Sequence, residues 1–181
     1  MTTVSKALLA GLVCSLTLGA VPTAAQTYPQ TRHGFWFNVG LGYGSLGCKD
    51  CSDQTGGLSG GLSLGGTLSP SWLLGVGTTG WTKSENGATL TVGTLDARVR
   101  FYPTEKGGFF LTGGLGLGSI SAGVSGFGSA SETGVGLVLG LGIDLRIGRS
   151  VSLTPFLNGF GIKTSNADAR VGQIGLGITF H

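Results

Sequence analysis

From residue 35 onward the chain alternates a large apolar side chain with glycine, serine or threonine, and it does so in eight separate runs. A period of two places successive side chains on opposite faces, which is the pattern of a β-strand and not of a helix. The first run, 35–46, puts Phe35, Phe37, Val39, Leu41 and Tyr43 on one face and Asn38, Gly40, Gly42 and Gly44 on the other. The remaining runs cover 56–68, 72–82, 89–102, 109–120, 133–147, 151–162 and 171–180. Composition closes off other folds. With 40% hydrophobic residues and a net charge of +3 the chain is no disordered tail, and 37 Gly without a triplet repeat and with only 5 Pro are not collagen. No apolar stretch reaches the length of a transmembrane helix, about 20 residues.

Residues 1–25 read as an address. Lys6 supplies a positive start, an apolar stretch follows to Val21, and Thr23, Ala24 and Ala25 are small residues ahead of a cleavage point before Gln26. The expected organisation is a cleaved signal peptide (1–25), a short periplasmic segment (26–34) and a barrel (35–181). Export sets an oxidising environment, in which Cys48 and Cys51 are expected to form a disulfide in the first external loop. A redox reading of Cys48 and Cys51 lacks its βαβ context, and a zinc site lacks two further ligands. No metal and no cofactor is expected.

The connections alternate in kind. Those at 69–71, 103–108 and 148–150 read as tight turns, whereas 47–55, 83–88, 121–132 and 163–170 read as longer polar or Gly-rich loops. That is an up-and-down meander with two unlike ends. Its wet face follows from charge: every charged residue after the signal peptide falls in a terminus, turn or loop, or on the parity opposite the apolar one. A soluble barrel would need charged side chains outside. A Lys or Arg facing lipid at the midplane costs about 2–4 kcal/mol, so hydrocarbon demands the distribution seen here. Unpaired edge groups in lipid are too costly for an open sheet, and the expected fold is all-β: a closed eight-stranded antiparallel transmembrane barrel. Phe35, Phe37, Trp72, Phe101, Phe109 and Phe180 gather with outward parity at the short-turn ends, as an interfacial girdle would.

The last run, QIGLGITF over 173–180, resembles the C-terminal recognition signal of bacterial outer-membrane proteins, with Gln173, Gly175, Ile178 and Phe180 at its polar, glycine, apolar and aromatic positions. His181 follows where such chains usually end on the aromatic residue. With the leader and the eight runs, the chain is similar to the small outer-membrane β-barrel family of OmpA-, OmpX- and OmpW-like proteins. The resemblance implies a place in the outer membrane among its lipids, contact with the barrel assembly machinery through the last strand, and a monomer.

Inward charge is confined to Asp96, Arg98, Arg100, Asp144 and Arg146, in the periplasmic half, where the expectation is one network of Arg and carboxylate pairs that closes the lumen. Above it the inward positions include Gly40, Gly42, Gly44, Gly114, Gly116, Gly118, Gly136 and Gly140, which either leave a cavity or are filled by Trp36, Trp81, Phe156 and Phe160. Lipid-modifying enzymes of related barrels resemble one another in pairing a His with a Ser near the outer leaflet. The only histidines here, His33 and His181, fall at the opposite edge. Asp50, Asp53, Glu85 and Asp168 read as ordinary loop charges, and no Lys or Arg run suggests nucleic acid. The expected function is non-enzymatic, an envelope-structural or surface-interaction role through external loops, with a narrow channel or small-ligand barrel as the alternative and a lipid-modifying enzyme as the second. Two irregularities stand out: the apolar parity shifts between Leu90 or Val92 and Leu95, and Pro155 lies inside a strand of a closed sheet, so a bulge is expected at each place.

Overall fold

Each alternating run becomes a strand and pairs with its neighbour in chain order. The computed structural model describes residues 32–47, 55–124, 128–165 and 167–181. It contains β1 (Phe35–Gly47), β2 (Thr55–Ser69), β3 (Trp72–Glu85), β4 (Ala88–Phe101), β5 (Phe109–Val124), β6 (Gly128–Ile143), β7 (Leu145–Arg146), β8 (Val151–Lys163) and β9 (Asp168–Phe180). Sequential strands pair antiparallel, β9 returns to β1, and β6 pairs with β8. Because β7 continues β6 past Asp144, the wall is a closed eight-stranded up-and-down barrel. The expected leader (1–25), Cys48, Cys51, Asp50 and Asp53 lie outside the described residues.

The barrel is inside-out relative to a water-soluble one. Leu41, Leu115, Leu117, Leu139 and Ile174 are exposed around the wall, while Asp96, Arg98, Arg100 and Asp144 are buried within it. A continuous exposed apolar belt of this kind requires an apolar solvent. At one rim Phe37 stacks on Phe180 with ring centroids 6.2 Å apart and Trp72 on Phe101 at 4.5 Å. These tilted pairs form part of the aromatic girdle.

Neither expected bulge exists. Both ladders of β4 run without a register shift, and the parity change is a change of destination: Val92 is buried and Leu90 packs beside it in the lumen, while Leu95 faces out. At Pro155 the register of β8 against β9 is likewise unbroken. What lapses is the opposite ladder, between Gly142↔Phe156 and Leu145↔Leu153. Pro155 has no N–H to donate, and the interruption between β6 and β7 falls against it. Among the described residues the one register shift lies in β2, between Thr67 and Ser69.

The two ends also differ from the loop reading. The connection at 83–88 is a two-residue hairpin in which Asn86 (φ 51°) and Gly87 (φ 78°) both take the left-handed conformation that a type I′ turn needs. The segment 121–132 is largely strand, since β5 and β6 stay paired out to Val124↔Gly128. Beyond Leu117↔Val135 the outward side chains of this hairpin are Ser119, Ser121, Thr133, Ser131 and Ser129. On the β6 side the ladder with β8 begins only at Val135↔Lys163, and just beyond it Glu132 accepts from the Thr164 hydroxyl at 2.7 Å, so the hairpin projects past β8 over Gly128–Ser131. The seven residues 102–108 are the longer connection at the girdle end. Length therefore does not separate the two ends; a projecting hairpin does.

Candidate functional site

The interior is built in three layers. At the girdle end Trp36, Leu73, Tyr102 and Phe110 form an apolar floor. Arg32, preceding β1, is buried across it: its guanidinium stands 3.5 Å from the Tyr102 ring centroid and donates to the carbonyls of Pro70 (3.3 Å), Glu105 (3.0 Å) and Gly107. Planar stacking with several carbonyl acceptors is a role that Lys could not fill. Arg100 lies between two rings, 4.8 Å from Trp36 and 4.7 Å from Phe110, and donates to Ser63 Oγ at 3.3 Å.

Asp144 is the hub of this end. It accepts from the Tyr102 hydroxyl at 2.7 Å and from the Thr154 hydroxyl at 2.7 Å. Since Thr154 spends its one proton on Asp144, its 2.7 Å contact with Thr179 is donated by Thr179, which in turn accepts from Asn38 Nδ2 at 2.8 Å. The chain of donors thus runs from β1 through β9 and β8 to the carboxylate. His181, just past β9, adds a further contact, with Nε2 3.2 Å from Asp144 Oδ2. Burial pushes the imidazole below its usual range, against the pull of Asp144, and burial raises the Tyr102 phenol. A neutral imidazole donating from Nε2 fits both facts.

The middle layer holds a separate ion pair. Arg98 grips Asp96 with two bonds, Nε to Oδ1 at 2.6 Å and Nη2 to Oδ2 at 2.7 Å, and also donates to Thr79 at 3.0 Å. Thr94 contributes a further donor at 3.2 Å. Above this pair Leu46, Trp81, Val92, Val138, Phe160, Ile162, Ala169 and Val171 form an apolar plug. Trp81 is held there by its indole N–H on the Gly44 carbonyl, 3.0 Å away.

Three of the inward glycines serve that filling, while Gly42 and Gly116 lie against the backbone of the neighbouring strand. A Cβ on Gly44 would meet Trp81 at 2.8 Å, one on Gly40 would meet Phe156 at 2.7 Å, and one on Gly118 would meet Ile162 at 2.6 Å. Each of these three accommodates a large side chain from a strand two places away in the wall. The polar cavity between the layers, lined by Asn38, Ser63, Arg98, Arg100, Asn158 and Gln173, measures ≈ 20 Å³, which is about one water.

The five charged residues read from the sequence are therefore all buried inside the wall, at two levels of the lumen. Asp96 and Arg98 pair within β4, Arg100 rests on aromatic rings, Asp144 binds hydroxyls and the terminal imidazole, and Arg146 donates to the Arg149 carbonyl at 3.2 Å. Sequence reasoning missed Arg32, Tyr102, Thr154 and His181: Tyr102 and Thr154 lie on the inward parity of their runs but carry no charge, and Arg32 and His181 lie outside the alternating runs. Of the C-terminal motif, Gln173 faces the lumen, Ile178 and Phe180 face out, and Gly175 lets β9 approach the Leu41 carbonyl of β1. His33 is exposed at the girdle end.

This chain is similar to solved barrels. Neisserial surface protein A superposes with a TM-score of 0.66 at 17% identity, over 83% of this chain and 98% of that one. Ail, the attachment invasion locus protein of Yersinia pestis, gives 0.61 at 14%, over 83% of this chain and 100% of that one. The same protein in complex with the heparin analogue sucrose octasulfate gives 0.61 at 17%, over 81% and 99%. At such identities the likeness shows the fold alone. No curated protein matches the sequence. The family model of the outer membrane protein beta-barrel domain matches residues 11–181, and on that match, with the inside-out wall just described, the chain belongs to this family of bacterial outer-membrane proteins.

Proposed function

We propose that the protein is a non-enzymatic barrel that engages partners outside the cell through its β5–β6 hairpin. The observation that carries this reading is the tip of β6: Gly128–Ser131 lies beyond the start of the β6–β8 ladder on a hairpin whose outward side chains are small and polar. Free N–H and C=O groups on a projecting edge offer main-chain hydrogen bonds to an extended segment of another protein. Three layers of filled lumen favour a surface role over conduction. Both histidines lie at the girdle end, which favours binding over acyl chemistry at the external end. The name of one structural neighbour, attachment invasion locus protein, speaks of attachment and invasion for that protein.

The test is to replace residues 121–131 by Asn-Gly, keeping Ile120 for the apolar plug, and to measure binding of whole cells to an array of immobilised extended peptides. Binding is expected to fall at least tenfold while the barrel still shifts on an unheated gel. Equal binding by the shortened barrel would overturn the reading.

A further inference from the structure

Not every glycine of the wall faces a side chain that needs room. On the outward face of β8 and β9, Gly159 pairs with Gly172, and Gly161 pairs with Arg170, which pairs in turn with Gly47. A Cβ on Gly172 or Gly47 would meet nothing within 4 Å, and those on Gly159 and Gly161 would meet their nearest neighbours at 3.8 and 3.7 Å. Closure of the barrel does not require glycine at these four places. The next outward row toward the girdle carries Leu141, Leu157, Ile174 and Tyr43, as a lipid-facing row should. Absence of side chains over Gly159, Gly161 and Gly172 leaves a groove of ≈ 630 Å³, walled by Leu137 and Leu139 of β6. That volume falls in the range of small-molecule sites.

Charge closes the groove at its external end. The sequence placed Lys163, Asp168 and Arg170 in a loop; the structure puts them on β8 and β9 with outward parity, which corrects the expectation of an outer face free of charge. Lys163 stands opposite Asp168 in the ladder. Arg170 crosses the glycine floor, its Cγ 4.0 Å from where a Gly161 Cβ would lie. Neither Lys163 nor Arg170 enters an ion pair among the described residues. An even number of strands brings both chain ends, ahead of Phe35 and after Phe180, to the girdle end, and both ends of an outer-membrane barrel lie on the periplasmic side, so the end opposite the girdle, where these cations stand, meets the outer leaflet. An apolar trough below and a guanidinium fork above match an acyl chain joined to a phosphate.

A depression elsewhere on the wall, over Gly60 and Gly80, measures ≈ 260 Å³ and is bordered by Leu41, Leu58, Thr82 and Thr91, with no cation. It has the trough without the fork, and serves as an internal control.

We propose that the groove over Gly159, Gly161 and Gly172 is a binding site for an anionic phosphorylated lipid of the outer leaflet, its acyl chain against Leu137 and Leu139 and its phosphate on Arg170 and Lys163. The test uses the folded full barrel in detergent, titrated with dioleoylphosphatidic acid, dioleoylphosphatidylcholine or inorganic phosphate, with bound lipid counted by native mass spectrometry. Wild type is expected to bind phosphatidic acid at least tenfold more tightly than phosphatidylcholine, and inorganic phosphate is expected not to compete. Both the filled groove (Gly161→Leu with Gly172→Leu) and the uncharged rim (Lys163→Gln with Arg170→Gln) are expected to lose that preference, whereas Gly80→Leu keeps it. An unheated gel shift verifies folding of each variant, which the open space at Gly172 favours. Equal binding of the two lipids by wild type, undiminished phosphatidic acid binding by either double variant, loss of binding by Gly80→Leu, or competition by inorganic phosphate would each overturn the proposal.

Discussion

His181 Nε2 lies 3.2 Å from Asp144 Oδ2, so the last residue of the chain is tied to the break between β6 and β7. The backbone reinforces the tie, since the His181 N–H donates to the Ser150 carbonyl at 3.0 Å. A residue that breaks the usual aromatic ending thereby fastens β9 to the turn before β8.

This latch is expected to be pH-sensitive. The folded-state pKa of His181 is depressed below its ordinary 6.5 by burial, with Arg146 and Arg32 opposing the charged form and Asp144 favouring it. Its contribution to stability is therefore full above about 6.5 and is lost as pH falls through the folded value. Urea unfolding in vesicles should show a lower midpoint at pH 5 than at pH 7.5, and His181→Gln should shrink the difference. A wild-type difference no larger than that of the variant would refute the role.

Asp96 and Arg98 are buried together, so breaking the pair should cost far more than deleting it. Arg98→Met leaves a carboxylate without its bidentate partner and is expected to destabilise the barrel by about 3–5 kcal/mol. Adding Asp96→Leu should restore most of that loss. The measurement is the denaturant midpoint of the single and double variants at matched lipid composition.

Gly118 and Ile162 should behave as one packing unit. Gly118→Ala brings a methyl to within 2.6 Å of the Ile162 side chain and is expected to cost about 1–3 kcal/mol. Ile162→Ala in the same chain should relieve the clash, giving a coupling of about 1 kcal/mol or more in a double-mutant cycle. Strict additivity would show that the wall yields instead of the side chain.

The filled interior predicts electrical silence. Wild-type protein in planar bilayers should give no reproducible openings, and Trp81→Ala should not create them, because the Asp96–Arg98 layer and the floor of Trp36, Leu73, Tyr102 and Phe110 remain below it. Discrete channel openings in wild type would contradict the layered lumen.

Much of the molecule was legible before any coordinates. Alternation depends only on the geometry of one strand, so the number of strands, the lipid-facing Leu and Val rows and the inward position of Asp96, Arg98, Arg100, Asp144 and Arg146 follow from parity. Asn86 and Gly87 carried a readable turn signal as well; the two-residue hairpin was lost only because polar residues around it suggested a longer loop.

What parity could not say is which inward residues meet. The partner of a side chain in a barrel is set by register and curvature across several strands, and these brought Asp144 to Tyr102, Thr154 and His181 while leaving Asp96 to Arg98. For the same reason Leu90, Val92, Ile120 and Val171, apolar like their outward neighbours, turned inward as a plug. Glycine shows the division most clearly. Its abundance and spacing are sequence facts, but Gly118 makes room for Ile162 while Gly172 opens a groove to lipid. Only the three-dimensional neighbours distinguish the two, because a missing side chain acquires meaning from what stands opposite it.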